Sequence, residues 1–243
     1  MSGNVNGRRW QTAGSLETGP VVGQEDESTE RQPMLHAPAR ATRPPAHQIH
    51  SKHIRGDNER DGLAEAGFVA LAPDLYHGKT TAAIEEAEVL GRALDGELER
   101  VRGDIRGAMR FLRLHDATNL AEGRGELAFI GFSLGGAYAL DMSVNLPEEI
   151  AAVVTFYATY PDLDYSSARA AYLCHFAEND PYEPAESVAE MEKALQAGGK
   201  PFTFYTYQGT THWFFEANRP DAFDAAAAAL AWERTISFIQ TQP

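Results

Sequence analysis

The segment Phe129-Ile130-Gly131-Phe132-Ser133-Leu134-Gly135-Gly136 constrains the fold of this chain most strongly. Its serine lies between Gly131 and Gly135, directly after a short apolar run and directly before a helix-favouring run. In this G-x-S-x-G pattern a nucleophilic serine occupies a sharp turn between a strand and a helix. Glycines are needed because strand and helix approach closely there, and the helix N-terminus points N–H groups towards the reacting centre. The segment predicts that Ser133 is a nucleophile. The alternative is an ordinary strand-to-helix turn.

A base for this serine is predicted behind a strand near the end of the chain. The run Phe202 to Tyr207 is rich in aromatic and β-branched residues, which is typical of a strand, and His212 follows it by five positions. An imidazole on the loop after a parallel strand lies at the edge of the sheet where such folds place their sites. We expect His212 to take the proton from Ser133 and return it later in the reaction.

A carboxylate that orients the histidine is predicted behind the preceding strand. Residues 171–177 read as a buried strand, and Asp180 follows at its carboxyl end. We expect Asp180 to hold the imidazole in one tautomer. Glu178 is the alternative orienting residue, and Asp180 before a proline can also be read as a simple turn residue. The chain order Ser, Asp, His is the order found in α/β-hydrolases.

The chain from Gly67 to its C-terminus resembles the dienelactone hydrolase family of α/β-hydrolases. The resemblance rests on the segments Gly67 to Tyr76, Gly131 to Gly136, Asn179 to Pro184, Gly209 to Phe214, Asn218 to Pro220 and Ala231 to Thr235. It implies a three-layer α/β sandwich with a mostly parallel sheet. It also implies a triad of Ser133, Asp180 and His212 that hydrolyses a small ester or lactone without a cofactor or metal.

The chain departs from this family at two site positions. The namesake enzymes usually carry cysteine as nucleophile, where this chain has Ser133, so serine-esterase chemistry is expected. They also place an arginine four residues after the histidine to hold the substrate carboxylate. Here that position is Glu216, and Arg219 lies three residues further on. Because a glutamate repels an acidic lactone, the chain is not expected to share the namesake substrate.

A third departure concerns the oxyanion hole, the pair of N–H groups that stabilises negative charge on the reacting oxygen. Leu134 is expected to donate one N–H group, and Ile49 in the 46–52 region the other. In this family that second loop follows a central strand, yet no aliphatic strand precedes Phe68, and Val21-Val22 is the best short candidate. We therefore expect the N-terminal strands to be missing or replaced and the esterase to be weak. Two alternatives are a non-catalytic or unstable protein of the same fold and a general carboxylesterase.

Composition limits the domain organisation. The first 60 residues hold only seven Leu, Ile and Val and one aromatic residue, so residues 1–45 are predicted to be disordered. Residues 46–243 are predicted to form one α/β-hydrolase domain. Strands and helices should alternate along it, and apolar residues spaced by three and four predict one long helix from Leu94 to Leu112. Histidines at 47, 50 and 53 lack Cys, Asp or Glu partners at ligand spacing, so an incidental histidine-rich loop is favoured over a metal site.

Charge and cysteine usage limit the partners. The formal net charge of −14 argues against nucleic acid or an anionic membrane as a partner. A single cysteine, Cys174, fits a reducing compartment, and no apolar run reaches the length of a membrane span. The expected location is the cytoplasm, and the expected partner is a small-molecule substrate. The sequence does not indicate an oligomeric state.

Overall fold

The computed structural model describes residues 62–81, 83–114 and 127–242, together with the backbone of three short strands nearer the N-terminus. The strands are β1 (Asn4–Val5), β2 (Arg8–Arg9), β3 (His47–Ile49), β4 (Val69–Leu71), β5 (Leu127–Phe132), β6 (Ile150–Phe156), β7 (Ala171–Asn179) and β8 (Phe202–Thr211). The helices are α1 (Ile84–Asp95), α2 (Leu98–Leu114), α3 (Leu134–Asn145), α4 (Ala185–Ala197) and α5 (Ala225–Gln240), with a 3₁₀ turn at Tyr165–Ser167.

The sheet that carries the site has the order β5-β6-β7-β8, and every neighbouring pair is parallel. Parallel neighbours place their carboxyl ends at one edge, so the segments after β5, β6, β7 and β8 meet there. The strands predicted at residues 171–177 and 202–207 are confirmed as β7 and β8, which extend two and four residues further.

Each face of this sheet has its own apolar core, and side chains alternate between the two cores along the strands. On β5, Leu127 and Phe129 lie in one core, whereas Ala128, Ile130 and Phe132 lie in the other. Helices α1 to α4 contribute to the first core, and α5 contributes to the second. The predicted three-layer α/β sandwich is confirmed.

A strand does precede Phe68, but it is short and not aliphatic, which agrees with the expectation that the N-terminal strands are missing or replaced. Strand β3 pairs in parallel with β4, so that Ile49 lies opposite Leu71, and β3 also lies beside β5. The short strand therefore occupies the position between β4 and β5 that the sequence seemed to leave empty. Its sequence, His-Gln-Ile, has little strand character, and its pairing comes from backbone hydrogen bonds to β4 rather than from propensity.

The predicted single helix from Leu94 to Leu112 is wrong. The chain leaves α1 after Asp95 and enters α2 at Leu98, with Gly96 and Glu97 forming a turn between them. Gly96 donates to Arg92 and Glu97 donates to Leu94 through backbone hydrogen bonds that close the end of α1. Apolar spacing continues across the turn because both helices pack on the same core.

The predicted disorder of residues 1–45 lies outside the described residues, apart from the antiparallel pair β1 and β2, and it stays a prediction. The domain boundary at residue 46 likewise stays a prediction. Of the predicted histidine-rich loop, only the backbone of residues 47–49 is described, and of its three histidines only that of His47.

Candidate active site

The turn between β5 and α3 holds Ser133 in an unusual backbone conformation. Its φ is 48° and its ψ is −121°, which an L-residue adopts only under strain. Strand and helix are nearly in contact at this turn: a Cβ atom on Gly131 would lie 2.4 Å from the carbonyl oxygen of Gly135. A Cβ on Gly136 would lie 2.6 Å from the Cβ of Ala158. The sequence indicated a close approach at Gly131 and Gly135, and the structure shows Gly131 against the backbone of Gly135 and adds Gly136 as a position where a side chain does not fit.

Three side chains form a continuous line of hydrogen bonds at the carboxyl edge of the sheet. The Ser133 hydroxyl oxygen lies 3.1 Å from Nε2 of His212. The other ring nitrogen, Nδ1, lies 2.7 Å and 2.9 Å from the two carboxylate oxygens of Asp180. The side chains of His212 and Asp180 are each only 2% exposed, so both are shielded from water. The structure therefore brings together the three residues that the sequence singled out.

The carboxylate of Asp180 is fixed by its own loop. Its Oδ1 accepts hydrogen bonds from the backbone N–H groups of Tyr182, at 2.9 Å, and Glu183, at 3.1 Å. The alternative residue, Glu178, is exposed and accepts a hydrogen bond from the N–H of Gly209 at 2.8 Å. Of the two carboxylates, Asp180 is the one in contact with His212.

The first turn of α3 supplies backbone N–H groups next to Ser133. Gly136 and Ala137 donate to the Ser133 carbonyl, at 2.9 Å and 3.2 Å, which leaves Leu134 ahead of the first intrahelical bonds. An N–H at the first position of a helix is available to a ligand and lies at the positive end of the helix dipole. The other expected donor, Ile49, is the last residue of β3, beside β5. Both assignments stay predictions.

Aromatic rings enclose the imidazole of His212. The ring centroids of Tyr157, Tyr182 and Trp213 lie 4.6 Å, 4.8 Å and 4.8 Å from that of His212. Burial raises the pKa of the Tyr182 hydroxyl. Sequence reasoning did not select these residues for the site, although Tyr157 directly follows β6, Trp213 directly follows His212 and Tyr182 lies two residues after Asp180. Their position after the carboxyl ends of the parallel strands is the signal that could have identified them from the sequence.

Glu216, which departs from the family pattern, and the nearby Arg219 both contact these rings. Glu216 is buried and accepts a hydrogen bond from the Tyr157 hydroxyl at 3.0 Å. Arg219 stacks on Trp213, with its guanidinium carbon 4.0 Å from the ring centroid. The same guanidinium donates two hydrogen bonds to Asp221, at 3.1 Å and 2.9 Å, which raise its pKa. Arg219 is therefore paired within the protein, and the position four residues after His212 carries a buried carboxyl group that is hydrogen-bonded to Tyr157.

Within the described part of the chain, no group of three His, Cys, Asp or Glu side chains is arranged to hold a metal ion. The same residues include no helix that is long and apolar enough to cross a membrane. The one thiol, Cys174, is buried in the sheet, and burial raises its pKa to about 12. A thiol in that state is unreactive, so Cys174 is a core residue.

Comparison with known proteins agrees with this fold. A sequence model of the dienelactone hydrolase family matches residues 50–242. A Bradyrhizobium protein named "Probable 2-oxo-3-(5-oxofuran-2-ylidene)propanoate lactonase" is 30% identical over 194 residues, which cover 73% of this chain and 74% of that protein. The carboxymethylenebutenolidase of Rhodococcus opacus is 27% identical over 192 residues, covering 73% and 72% of the two chains.

A solved structure shows the same architecture at lower sequence identity. It is that of a dienelactone hydrolase-like promiscuous phosphotriesterase from metagenomic libraries. It superposes with a TM-score of 0.70 at 19% identity and covers 84% of this chain and 87% of its own. At that identity the likeness shows the fold. Because the family model spans most of the chain, this protein belongs to the dienelactone hydrolase family.

Proposed function

We propose that this protein is a serine hydrolase that cleaves a small ester or lactone through an acyl-Ser133 intermediate. The observation that carries the proposal is the unbroken line of hydrogen bonds from Ser133 through His212 to Asp180. Ser133 is at once strained and next to a buried imidazole, which is the arrangement that activates a hydroxyl as a nucleophile.

The reaction has two halves. The Ser133 oxygen bonds to the carbonyl carbon of the substrate while its proton passes to Nε2 of His212. The tetrahedral intermediate then collapses, the bond to the leaving alcohol breaks, and His212 gives the proton to that alcohol. A water molecule attacks the acyl-enzyme in the same way, and the carboxylic acid and the free serine are regenerated. Asp180 keeps Nδ1 as the protonated nitrogen and stabilises the imidazolium that forms.

The negative oxygen of the tetrahedral intermediate needs two N–H donors, for which we propose Leu134 and Ile49. Leu134 is supported by its place at the start of α3, directly after the nucleophile. Ile49 is supported by its place at the end of β3, which lies beside the strand that leads to Ser133. Loss of one donor of this kind typically lowers turnover by about 100- to 1000-fold. A weak second donor is therefore expected to give a slow enzyme.

The substrate is proposed to be a neutral ester or lactone. The names of the relatives, a lactonase and a carboxymethylenebutenolidase, support a lactone or ester as the substrate class. The buried carboxylate of Glu216 and the pairing of Arg219 with Asp221 both disfavour an acidic substrate. A general carboxylesterase remains the alternative, and a panel of lactones and linear esters separates the two. The cytoplasmic location stays a prediction from the sequence.

The proposal is tested with Ser133→Ala and p-nitrophenyl acetate. We expect the release of p-nitrophenol to fall to the uncatalysed rate, whereas Ser167→Ala, an exposed serine, should keep the wild-type rate. Equal turnover in the wild type and Ser133→Ala would show that another group does the chemistry. A wild type that does not turn over at all would support the non-catalytic alternative.

A further inference from the structure

Backbone strain in the described residues is concentrated around His212. Among the described residues, four other than glycine have positive φ values, and three of these, Ser133, Tyr157 and Trp213, contact or adjoin His212. Ser133 is bonded to its Nε2, Trp213 follows it in sequence, and Tyr157 packs against its ring. A bulky aromatic residue at a φ of 41° is unfavourable, so the surrounding structure must hold Tyr157 in place.

The backbone around Tyr157 connects the strands of the other two triad residues. The carbonyl of Phe156 accepts a hydrogen bond from the N–H of Ser133 at 2.9 Å. The N–H of Tyr157 donates to the carbonyl of His175 on β7 at 2.7 Å. The end of β6 is thus tied to the nucleophile on one side and, on the other side, to the strand that leads to Asp180.

The side chain of Tyr157 connects the same point to the histidine loop. Its ring is fully buried, 4.6 Å from the His212 ring, and its hydroxyl donates to Glu216 at 3.0 Å. Glu216 is itself buried and lies four residues after His212, so Tyr157 contacts both ends of the turn that carries the base. A tilt of the Tyr157 ring or a release of Glu216 would let the imidazole move away from Ser133.

From these contacts we infer that Tyr157 is a positioning residue for the proposed hydrolysis, and that Glu216 is the partner that fixes its ring. Tyr157 sets the place of the His212 imidazole relative to the Ser133 hydroxyl. At this position the namesake enzymes carry an arginine that holds the substrate carboxylate. In this chain Glu216 instead holds the Tyr157 hydroxyl. The inference rests on the proposed function, since it concerns the geometry of the same triad.

The test compares two tyrosines that lose the same group. Tyr172 is as buried as Tyr157, and its hydroxyl bonds to Ser143 at 2.8 Å, but no ring contact links it to His212. In Tyr157→Phe, kcat for p-nitrophenyl acetate should fall about 10- to 100-fold with KM nearly unchanged, because misplacement of a catalytic group slows the chemical step. In Tyr172→Phe both constants should stay near those of the wild type. Both variants should show similar small decreases in the unfolding midpoint.

Variants of Glu216 give a second route if Tyr157→Phe does not fold. Glu216→Gln keeps an acceptor for the Tyr157 hydroxyl and should retain most of the activity, whereas Glu216→Leu should match Tyr157→Phe. The double variant Tyr157→Phe, Glu216→Leu should be no slower than either single variant, because both changes break one contact.

Three outcomes overturn the inference. In the first, Tyr157→Phe and Tyr172→Phe have the same kcat. In the second, Tyr157→Phe raises KM and leaves kcat unchanged. Either result leaves the proposed function standing as long as Ser133→Ala is inactive. The third outcome is a wild type that is inert to the substrate, and this result overturns the proposed function and the inference together.

Discussion

The Nε2 atom of His212 lies 3.1 Å from the hydroxyl oxygen of Ser133, although 79 positions separate the two residues in the chain. Four parallel strands bring them together, because β5 ends one residue before Ser133 and β8 ends one residue before His212. The contact depends on the sheet rather than on either loop alone. Substitutions in the sheet or in the two turns should therefore change the Ser133–His212 distance and the rate of hydrolysis.

Asp180 is predicted to contribute far more to catalysis than Glu178. Asp180→Asn keeps the shape of the side chain but favours the wrong tautomer of His212, so kcat should fall by about 10³- to 10⁴-fold. Glu178→Gln changes an exposed carboxylate two residues away and should stay near the wild-type rate. Steady-state hydrolysis of p-nitrophenyl acetate measures both. A larger loss in Glu178→Gln would mean that the wrong carboxylate has been assigned.

A methyl group is predicted to be far less tolerated at Gly136 than at Gly103. In Gly136→Ala the added Cβ would lie 2.6 Å from the Cβ of Ala158, so overpacking should lower the free energy of unfolding by about 1–3 kcal/mol. In Gly103→Ala the Cβ meets nothing within 4 Å in the middle of α2, and about 0.5–1 kcal/mol of stabilisation is expected. Urea unfolding midpoints compare the two, and equal effects would contradict the close approach at the nucleophile turn.

Acid is predicted to destabilise the fold through His175. This histidine is buried between Tyr207 and Thr235, and burial, with a smaller effect of the Arg234 charge, lowers its pKa from 6.5 to about 3. Between these two values the unfolded chain binds a proton that the folded chain excludes. The contribution of His175 to the free energy of unfolding is therefore fully present above pH 6.5. It decreases as the pH falls towards 3, by about 1.4 kcal/mol per pH unit.

The variant His175→Gln checks this assignment. The unfolding free energy is measured in urea at several pH values between 7 and 4 for the variant and the wild type. The slope of stability against pH should be smaller in the variant by about the amount that one proton accounts for. Parallel slopes in the two proteins would show that other groups cause the acid sensitivity.

Neutral substrates are predicted to be preferred over acidic ones of the same length. Glu216 is a buried carboxyl group that accepts a hydrogen bond from Tyr157, the tyrosine whose ring packs on His212, and Arg219 is already paired with Asp221. We expect kcat/KM for p-nitrophenyl hexanoate to exceed that for mono-p-nitrophenyl adipate by about tenfold or more at low salt. Added salt should narrow the difference, because it screens the repulsion. Faster hydrolysis of the adipate at low salt would contradict this account of Glu216.

The sequence was sufficient to predict the sheet and to single out three residues that meet at its edge, because both have strong local signals. Gly131 and Gly135 around Ser133 reflect a steric requirement of one turn, and the aliphatic and aromatic runs of β5 to β8 mark strands buried in the core. Once parallel order is assumed, the residues after each strand must share one edge. This reasoning gave His212 and Asp180 without any coordinates.

The remaining features depend on contacts between distant parts of the chain. The His-Gln-Ile strand β3 has weak strand propensity, and its pairing with β4 shows only in three dimensions. The apolar spacing across Asp95 and Leu98 is the same for one bent helix or two, so the break at Gly96 was not visible. Tyr157 reads as the last residue of a strand, and its role depends on a ring contact and a hydrogen bond to Glu216.

Labelling with a fluorophosphonate probe tests the central claim most directly, because only an activated serine reacts with it. The purified protein is incubated with the probe, and the modified peptide is identified by mass spectrometry. One equivalent of label on Ser133, lost in Ser133→Ala and strongly slowed in a His212→Gln variant, is the predicted result. No label on Ser133 in the folded wild-type protein, or equal labelling in His212→Gln, would contradict an activated nucleophile at this site.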